Sequence, residues 1–141
     1  MKINDTNYKK AINNEEKDRD FVKLEKDLDV SFINKNLLIQ AFIHRSYINE
    51  SVKSKLGHNE RLEFLGDAVL ELATTNFLYN KFKDLAEGDL TTYRAALVNT
   101  KSIGEVGKNL GFNDYLFLSK GYSKDFGKER VSILSDSYEA L

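Results

Sequence analysis

Apolar residues return every three or four positions along most of this chain, the period of a helix with one face against a core. Phe21, Leu24 and Leu28 set the first such stripe, and Val30 and Phe32 lead into a polar turn at residues 34–36. Leu37, Leu38, Ala41 and Phe42 mark a second helix. Residues 49–58 are polar, hold Gly57 and read as a loop. Asn59 is then placed to cap a long helix that reaches about Phe82. Residues 84–88 punctuate the pattern, and Asp89 or Thr91 caps a helix carrying Tyr93, Ala96 and Leu97. Thr100 or Ser102 begins another with Ile103, Val106 and Leu110, stopped by Gly111. Tyr115, Phe117 and Leu118 suggest a short compact segment, and residues 121–128 a charged, glycine-bearing loop before a last helix over 132–141. With no proline, no internal repeat and no strand-like alternation of useful length, the pattern predicts an all-α fold.

The 141 residues fit one domain with a core of its own. Residues 1–20 stand apart: they are polar and charged, with few apolar entries, and read as a flexible N-terminal extension to a domain over 21–141. The absence of cysteine excludes disulfides and thiolate metal sites. No apolar run has the length of a membrane span and no signal-peptide pattern opens the chain, so a cytoplasmic protein without a membrane partner is expected. Twenty-one basic residues against 22 acidic ones give a net charge of −1. That balance argues against a simple RNA-binding module, which carries a basic excess. It is compatible with a nuclease whose acidic centre needs a metal before it accepts a phosphate.

The most specific chemistry lies in residues 59–70, Asn-Glu-Arg-Leu-Glu-Phe-Leu-Gly-Asp-Ala-Val-Leu. On a helix Glu60, Glu63 and Asp67, at spacings of three and four, share one face within an arc of about 60°. Like charges so placed destabilise a helix unless something compensates. Leu62, Leu65, Val69 and Leu70 occupy its other sides, so a largely buried helix with one acidic stripe is expected. Near the end of the chain Asp136 and Glu139, three apart, also share a face. Packed face to face, the two helices would gather Glu63, Asp67, Asp136 and Glu139 into a four-carboxylate cluster. Such an all-oxygen set suits magnesium, one ion or two, and in-line phosphodiester chemistry.

Five blocks carry a resemblance. Residues 59–70 closely resemble the signature of the ribonuclease III family, and residues 41–47, 87–90, 94–99 and 132–141 match it in the same order. The resemblance implies an all-helical, dimer-forming endonuclease domain of the bacterial type that cleaves double-stranded RNA with magnesium, manganese being a possible substitute. RNA processing, including that of ribosomal RNA, would be its setting. Glu63, Asp67, Asp136 and Glu139 would be the metal ligands, with Asp67 and Glu139 the catalytic pair. The resemblance moves Glu60 and Glu87 to secondary acidic positions near the centre, although Glu60 in a first helical turn is equally explained by the macrodipole. Phe64 would anchor the homodimer in a socket on the partner. Arg94, Asn99 and Lys101 are candidate RNA contacts. His44 and His58 receive no chemistry, because neither has a partner at metal-ligand spacing, and Glu71 reads as solvated. Lys120, Lys124 and Lys128 are read first as solvated, with backbone contact to RNA as the sharper alternative.

Two departures shape the expectation. Only two residues follow Glu139, whereas family members continue that helix through an apolar stretch, so the catalytic domain is expected to be truncated there. The double-stranded-RNA-binding domain that commonly follows is not present in the sequence. A catalytically inactive, dimeric, RNA-associated interaction module is the alternative reading, which loss of any of the four carboxylates would have favoured. All four are in place.

Overall fold

A computed structural model describes residues 19–50, 56–124 and 127–141. The expected N-terminal extension falls almost wholly outside these residues, as do the middle of the 49–58 loop and two positions of the 121–128 loop. Helices run in the order α1 (Phe21–Asp27), α2 (Lys35–Ala41), α3 (Arg45–Glu50), α4 (Glu60–Lys81), α5 (Glu87–Leu97), α6 (Thr100–Asn109), a 3₁₀ turn (Phe112–Asp114), α7 (Lys120–Ser123) and α8 (Lys128–Ala140). Among the described residues there is no strand, only an isolated parallel bridge between Ile43 and Phe117. The all-α reading holds.

Local chemistry sets most boundaries. Asp20 caps α1 by accepting from the Lys23 amide at 2.9 Å, and Asn34 caps α2 by accepting from Asn36 at 3.1 Å. Asn99 caps α6 by accepting from Ser102 at 3.0 Å, and Gly111, at φ +74°, turns the chain out of that helix. Other expectations need correction. α3 occupies part of the stretch read as a loop, and a one-turn helix, α7, opens the 121–128 loop. α5 starts at Glu87, ahead of both Asp89 and Thr91, and α8 starts at Lys128. Asn59 does precede α4, but its side chain makes no cap hydrogen bond. It is buried, and its Nδ2 donates to the Ala41 carbonyl at 3.1 Å. The start of α4 is thereby tied to the end of α2.

The core sits on one side of the acidic helix. Phe21, Phe42, Phe112, Tyr115 and Phe117 form an aromatic cluster, with Phe42 edge-on to Phe112 at 5.1 Å and Phe21 5.5 Å from Tyr115. Offset and tilted pairs of this kind contribute beyond their burial. Glu25, in the same layer, is fully buried and pairs with Lys35 while accepting from the Phe32 amide at 2.6 Å.

α8 is the central element. It packs against both α6 and α4, and the approach is close enough to exclude side chains. A Cβ on Gly104 would stand 2.4 Å from the Val131 carbonyl oxygen, and one on Gly66 would stand 1.6 Å from the Glu139 carbonyl oxygen.

α4 itself contradicts the expectation of burial. Leu78 is its one buried residue, while Leu65, Val69 and Leu72 are exposed. Apolar side chains surround this helix, and α5 and α8 cover only part of its circumference. Sequence periodicity cannot say which neighbour covers the rest.

The glycine seats generate a contrast. Gly104→Ala should lower stability by about 1–3 kcal/mol through overpacking, even against the helix-propensity gain of about 1 kcal/mol. At Gly88, in the first turn of α5, a methyl group would meet nothing within 4 Å. Gly88→Ala should therefore raise stability, by about 0.4–1 kcal/mol. Urea unfolding midpoints check both signs, and an unchanged or raised midpoint for Gly104→Ala would show that α6 and α8 are not in this contact.

Candidate metal centre

Two helices supply the acids, and the seat between them sets the distance. Glu63 lies in the first turn of α4 and Asp67 one turn on, with Gly66 between them. Asp136 and Glu139 lie in the last two turns of α8. Because Gly66 lets the main chain of Glu139 approach α4 directly, the acidic faces of the helices meet. Glu63, Asp136 and Glu139 each offer a carboxylate oxygen, and these atoms lie within 4.8 Å of one another. All three residues are half-buried. Asp67, expected as a fourth member, is outside that group and exposed, but its charge acts on both Glu63 and Glu139.

The electrostatics are those of an uncompensated anionic cluster. Burial, followed by the charges of Glu63, Glu139 and Glu60, pushes the Asp136 carboxyl up to about 7. Burial, then Glu60 and Asp67, raises Glu63. Burial also raises Glu139, against a hydrogen bond from Ser135 that favours its charged form. Among the described residues no cationic side chain contributes to any of the three shifts. Two unit charges at this separation repel by about 1 kcal/mol in water and about 3.5 kcal/mol at an effective dielectric near 20. The half-buried cluster lies between these limits, so its full ionisation calls for an added positive charge. An all-oxygen, fully charged donor set fits a hard divalent ion, and no nitrogen or sulfur ligand enters it.

The remaining candidates fall elsewhere. Glu60 is paired with Arg45, and His58 Nδ1 lies 3.8 Å from the same carboxylate, so Glu60 flanks the cluster without joining it. Glu87 is not brought to the cluster within this chain: it opens α5, accepts from Thr91 at 2.8 Å, and lines a small pocket with Thr75, Tyr79 and Arg94. Arg94 donates to Thr75 at 3.0 Å. Asn99 is committed to structure, since besides capping α6 its Nδ2 donates to the Ala95 and Ala96 carbonyls. Lys101 is exposed on α6, and Glu71 is exposed as expected. His44 Nδ1 lies 2.8 Å from Ser46 Oγ, and burial lowers the pKa of its ring. Phe64 is 83% exposed, so it is not part of the core of this chain. An apolar groove of about 620 Å³, whose walls include Leu65, Val69, Tyr138 and Leu141 but not Phe64, runs along another face of α4.

Sequence reasoning missed the seat at Gly66, the Arg45–Glu60 pair and the Ser135 hydroxyl, which donates to Glu139 Oε1 at 3.2 Å. Only the last had a local signal, a serine four residues before an acid on one helix.

A pH dependence follows from Asp136. Its folded pKa, about 7, lies above the usual 3.8. The folded chain therefore holds a proton that the unfolded chain has lost, and this group's contribution to stability is full below pH 4 and gone above about 7. Without divalent ions the unfolding midpoint should carry that loss between pH 4 and about pH 7. Magnesium should restore stability at pH 8, by about 2.7 kcal/mol at a hundredfold excess over its dissociation constant, and do little at pH 5. An equal gain at both values would mean the ion binds away from Asp136.

Comparison with known proteins gives the family. Residues 34–141 match the Ribonuclease-III-like family. The chain is 49% identical to Ribonuclease 3 of Oceanobacillus iheyensis over 122 residues, which is 86% of this chain and 54% of that protein. It is 48% identical to Ribonuclease 3 of Enterococcus faecalis over 119 residues, or 84% of this chain and 52% of that protein. It thus spans about half the length of the curated relatives it matches. A crystal structure of the nuclease domain of ribonuclease III from Campylobacter jejuni, one concerned with flexibility in the region involved in dimer formation, superposes with a TM-score of 0.76 at 46% identity. That match covers 86% of this chain and 80% of the Campylobacter chain. A helical fold with α8 seated between α4 and α6, a paired set of acids across that seat and these matches along the same residues have one common explanation: the chain belongs to the ribonuclease III-like family.

Proposed function

We propose that this chain is the nuclease part of a magnesium-dependent endoribonuclease that hydrolyses phosphodiester bonds in double-stranded RNA. RNA processing, ribosomal RNA included, is the setting that fits this activity, with the cytoplasm as its place. The observation that carries the proposal is the convergence of Glu63, Asp136 and Glu139 from two helices onto one small volume, with Asp67 alongside. These four residues would hold magnesium, with manganese able to substitute. When bound, the ion supplies a water nucleophile of lowered pKa and charge stabilisation at the phosphate.

The chain's own residues do the remaining work. Asp136 must give up its proton for the site to load, and with a pKa of about 7 it does so near neutral pH. Arg45 neutralises Glu60 at the rim, so that the charge nearest the opening of the cluster is partly cancelled. Asp67 is exposed, which keeps one side of the cluster open to a phosphate from solvent. Among the described residues no histidine or lysine stands among the groups acting on the three acids, in keeping with hydrolysis that uses no nitrogenous general base. Double-stranded RNA would be read by A-form shape and 2′-hydroxyls, with little sequence content.

A second copy of the chain completes the proposal. Phe64, Leu65, Val69 and Leu72 leave an exposed apolar surface along α4, beside the acids. Exposed patches of this kind mark interaction sites, and a buried aromatic anchor is the usual hot spot in them. A homodimer through this face would set two centres against the two strands of one duplex.

Two measurements test the proposal. Glu139→Gln keeps the volume of the side chain and removes its charge, so cleavage of a duplex RNA at saturating magnesium should fall about 100-fold or more while the helical content is retained. Undiminished turnover in that variant would falsify the assignment. Phe64→Ala should weaken self-association by about 30-fold, the loss of a hot spot of about 2 kcal/mol. Sedimentation reads this directly, and a wild-type chain that stays monomeric at high concentration sinks the dimer.

A further inference from the structure

Ser135 lies in the core of α8, 1% exposed, where a hydroxyl without a partner costs about 1–3 kcal/mol. Its partner is Glu139 Oε1, 3.2 Å away and one helical turn on. Of the three converging carboxylates, Glu139 is the one that receives a side-chain hydrogen bond among the described residues. Its main chain is meanwhile pressed against Gly66. Glu139 is therefore fixed at both ends: by the helix seat at its backbone and by a buried donor at its carboxylate.

We infer that Ser135 is a positioning residue for the metal centre, holding one carboxylate oxygen of Glu139 so that the side chain is already oriented toward Glu63 and Asp136 before an ion arrives. The inference rests on the reading of these acids as metal ligands and adds to it a residue that makes no contact with the ion. The physical reason is entropic. A glutamate has three rotatable bonds, and a free one must be ordered at the moment of binding. A donor that is itself immobile, because it is buried in a packed helix, removes part of that cost in advance. Partners behind metal ligands act in this way and commonly contribute 10–100-fold in affinity. Serine can do this where alanine cannot, and threonine carries the same hydroxyl.

The test is manganese binding followed by electron paramagnetic resonance, on the whole chain without RNA, with unfolding midpoints recorded alongside. Ser135→Ala should weaken manganese binding about tenfold, the low end of that range. It should leave the unfolding midpoint unchanged or slightly raised, because alanine is the better helix former. Ser135→Thr should restore affinity to within about twofold of the wild type, since it restores the hydroxyl donor. In a Glu139→Ala background, where position 139 has no side-chain acceptor left, the Ser135→Ala change should cost nothing further, because Ser135 acts through Glu139. If Ser135→Ala binds manganese like the wild type while Glu139→Gln binds weakly, the positioning role is wrong and the metal reading stands. If the same tenfold loss persists in the Glu139→Ala background, the effect is one of packing and the inference is overturned. If Glu139→Gln itself binds like the wild type, the metal reading fails and this inference goes with it.

Discussion

The contact between α8 and its two neighbours governs this structure. Where the backbone of Glu139 meets α4 there is no room for a methyl group at position 66, and where Val131 meets α6 there is none at 104. Helices with side chains at the contact stand about 8–10 Å apart, and small residues let them come closer. Here the closeness has a chemical consequence. A wider seat would separate Glu63 from Asp136 and Glu139, and their mutual repulsion would favour the separation. Packing therefore holds together what electrostatics would push apart, and the aromatic core around Phe42 and Phe112 backs α8 from behind.

The cost of that arrangement is visible in the acids themselves. Burial and neighbouring charge raise all three converging carboxyls, Asp136 most clearly, and among the described residues no cation relieves them. Arg45, which could have done so, is paired with Glu60 at the rim. Under the proposed function, a domain that stores repulsion in a packed seat would be poised for a divalent ion, and folding and metal loading would be linked through pH. The positive charge at the phosphate would then come from the ion, so a net charge of −1 is no obstacle to an RNA substrate.

Much of this was legible in the sequence, for reasons that are local. Spacings of three and four placed Glu63 with Asp67, and Asp136 with Glu139, on single faces, and Gly111 marked the end of α6, whereas Asn99, read as a candidate RNA contact, caps its start. What the sequence could not carry was tertiary. Residues ringing α4 looked like a buried helix, yet Leu65 and Val69 face outward because the described neighbours cover only part of it. Asn59 had the right residue type for a cap, but the Ala41 carbonyl claimed its side chain across 18 positions. Glu87 shared the signature's acidic character, while its place on α5 put it in a pocket with Thr75 and Arg94, not in the cluster. Asp67 was read as an equal member of the four and stands at its edge, in solvent.

The central claim is that the acids of α4 and α8 form one cation site. Paramagnetic broadening of backbone amide signals by substoichiometric manganese tests it residue by residue, because the effect falls steeply with distance from the ion. The account predicts that amides around Glu63, Asp67, Asp136 and Glu139 broaden first and together, and that excess magnesium reverses the effect. Broadening centred on Glu87, or spread evenly over the exposed acids, would contradict it.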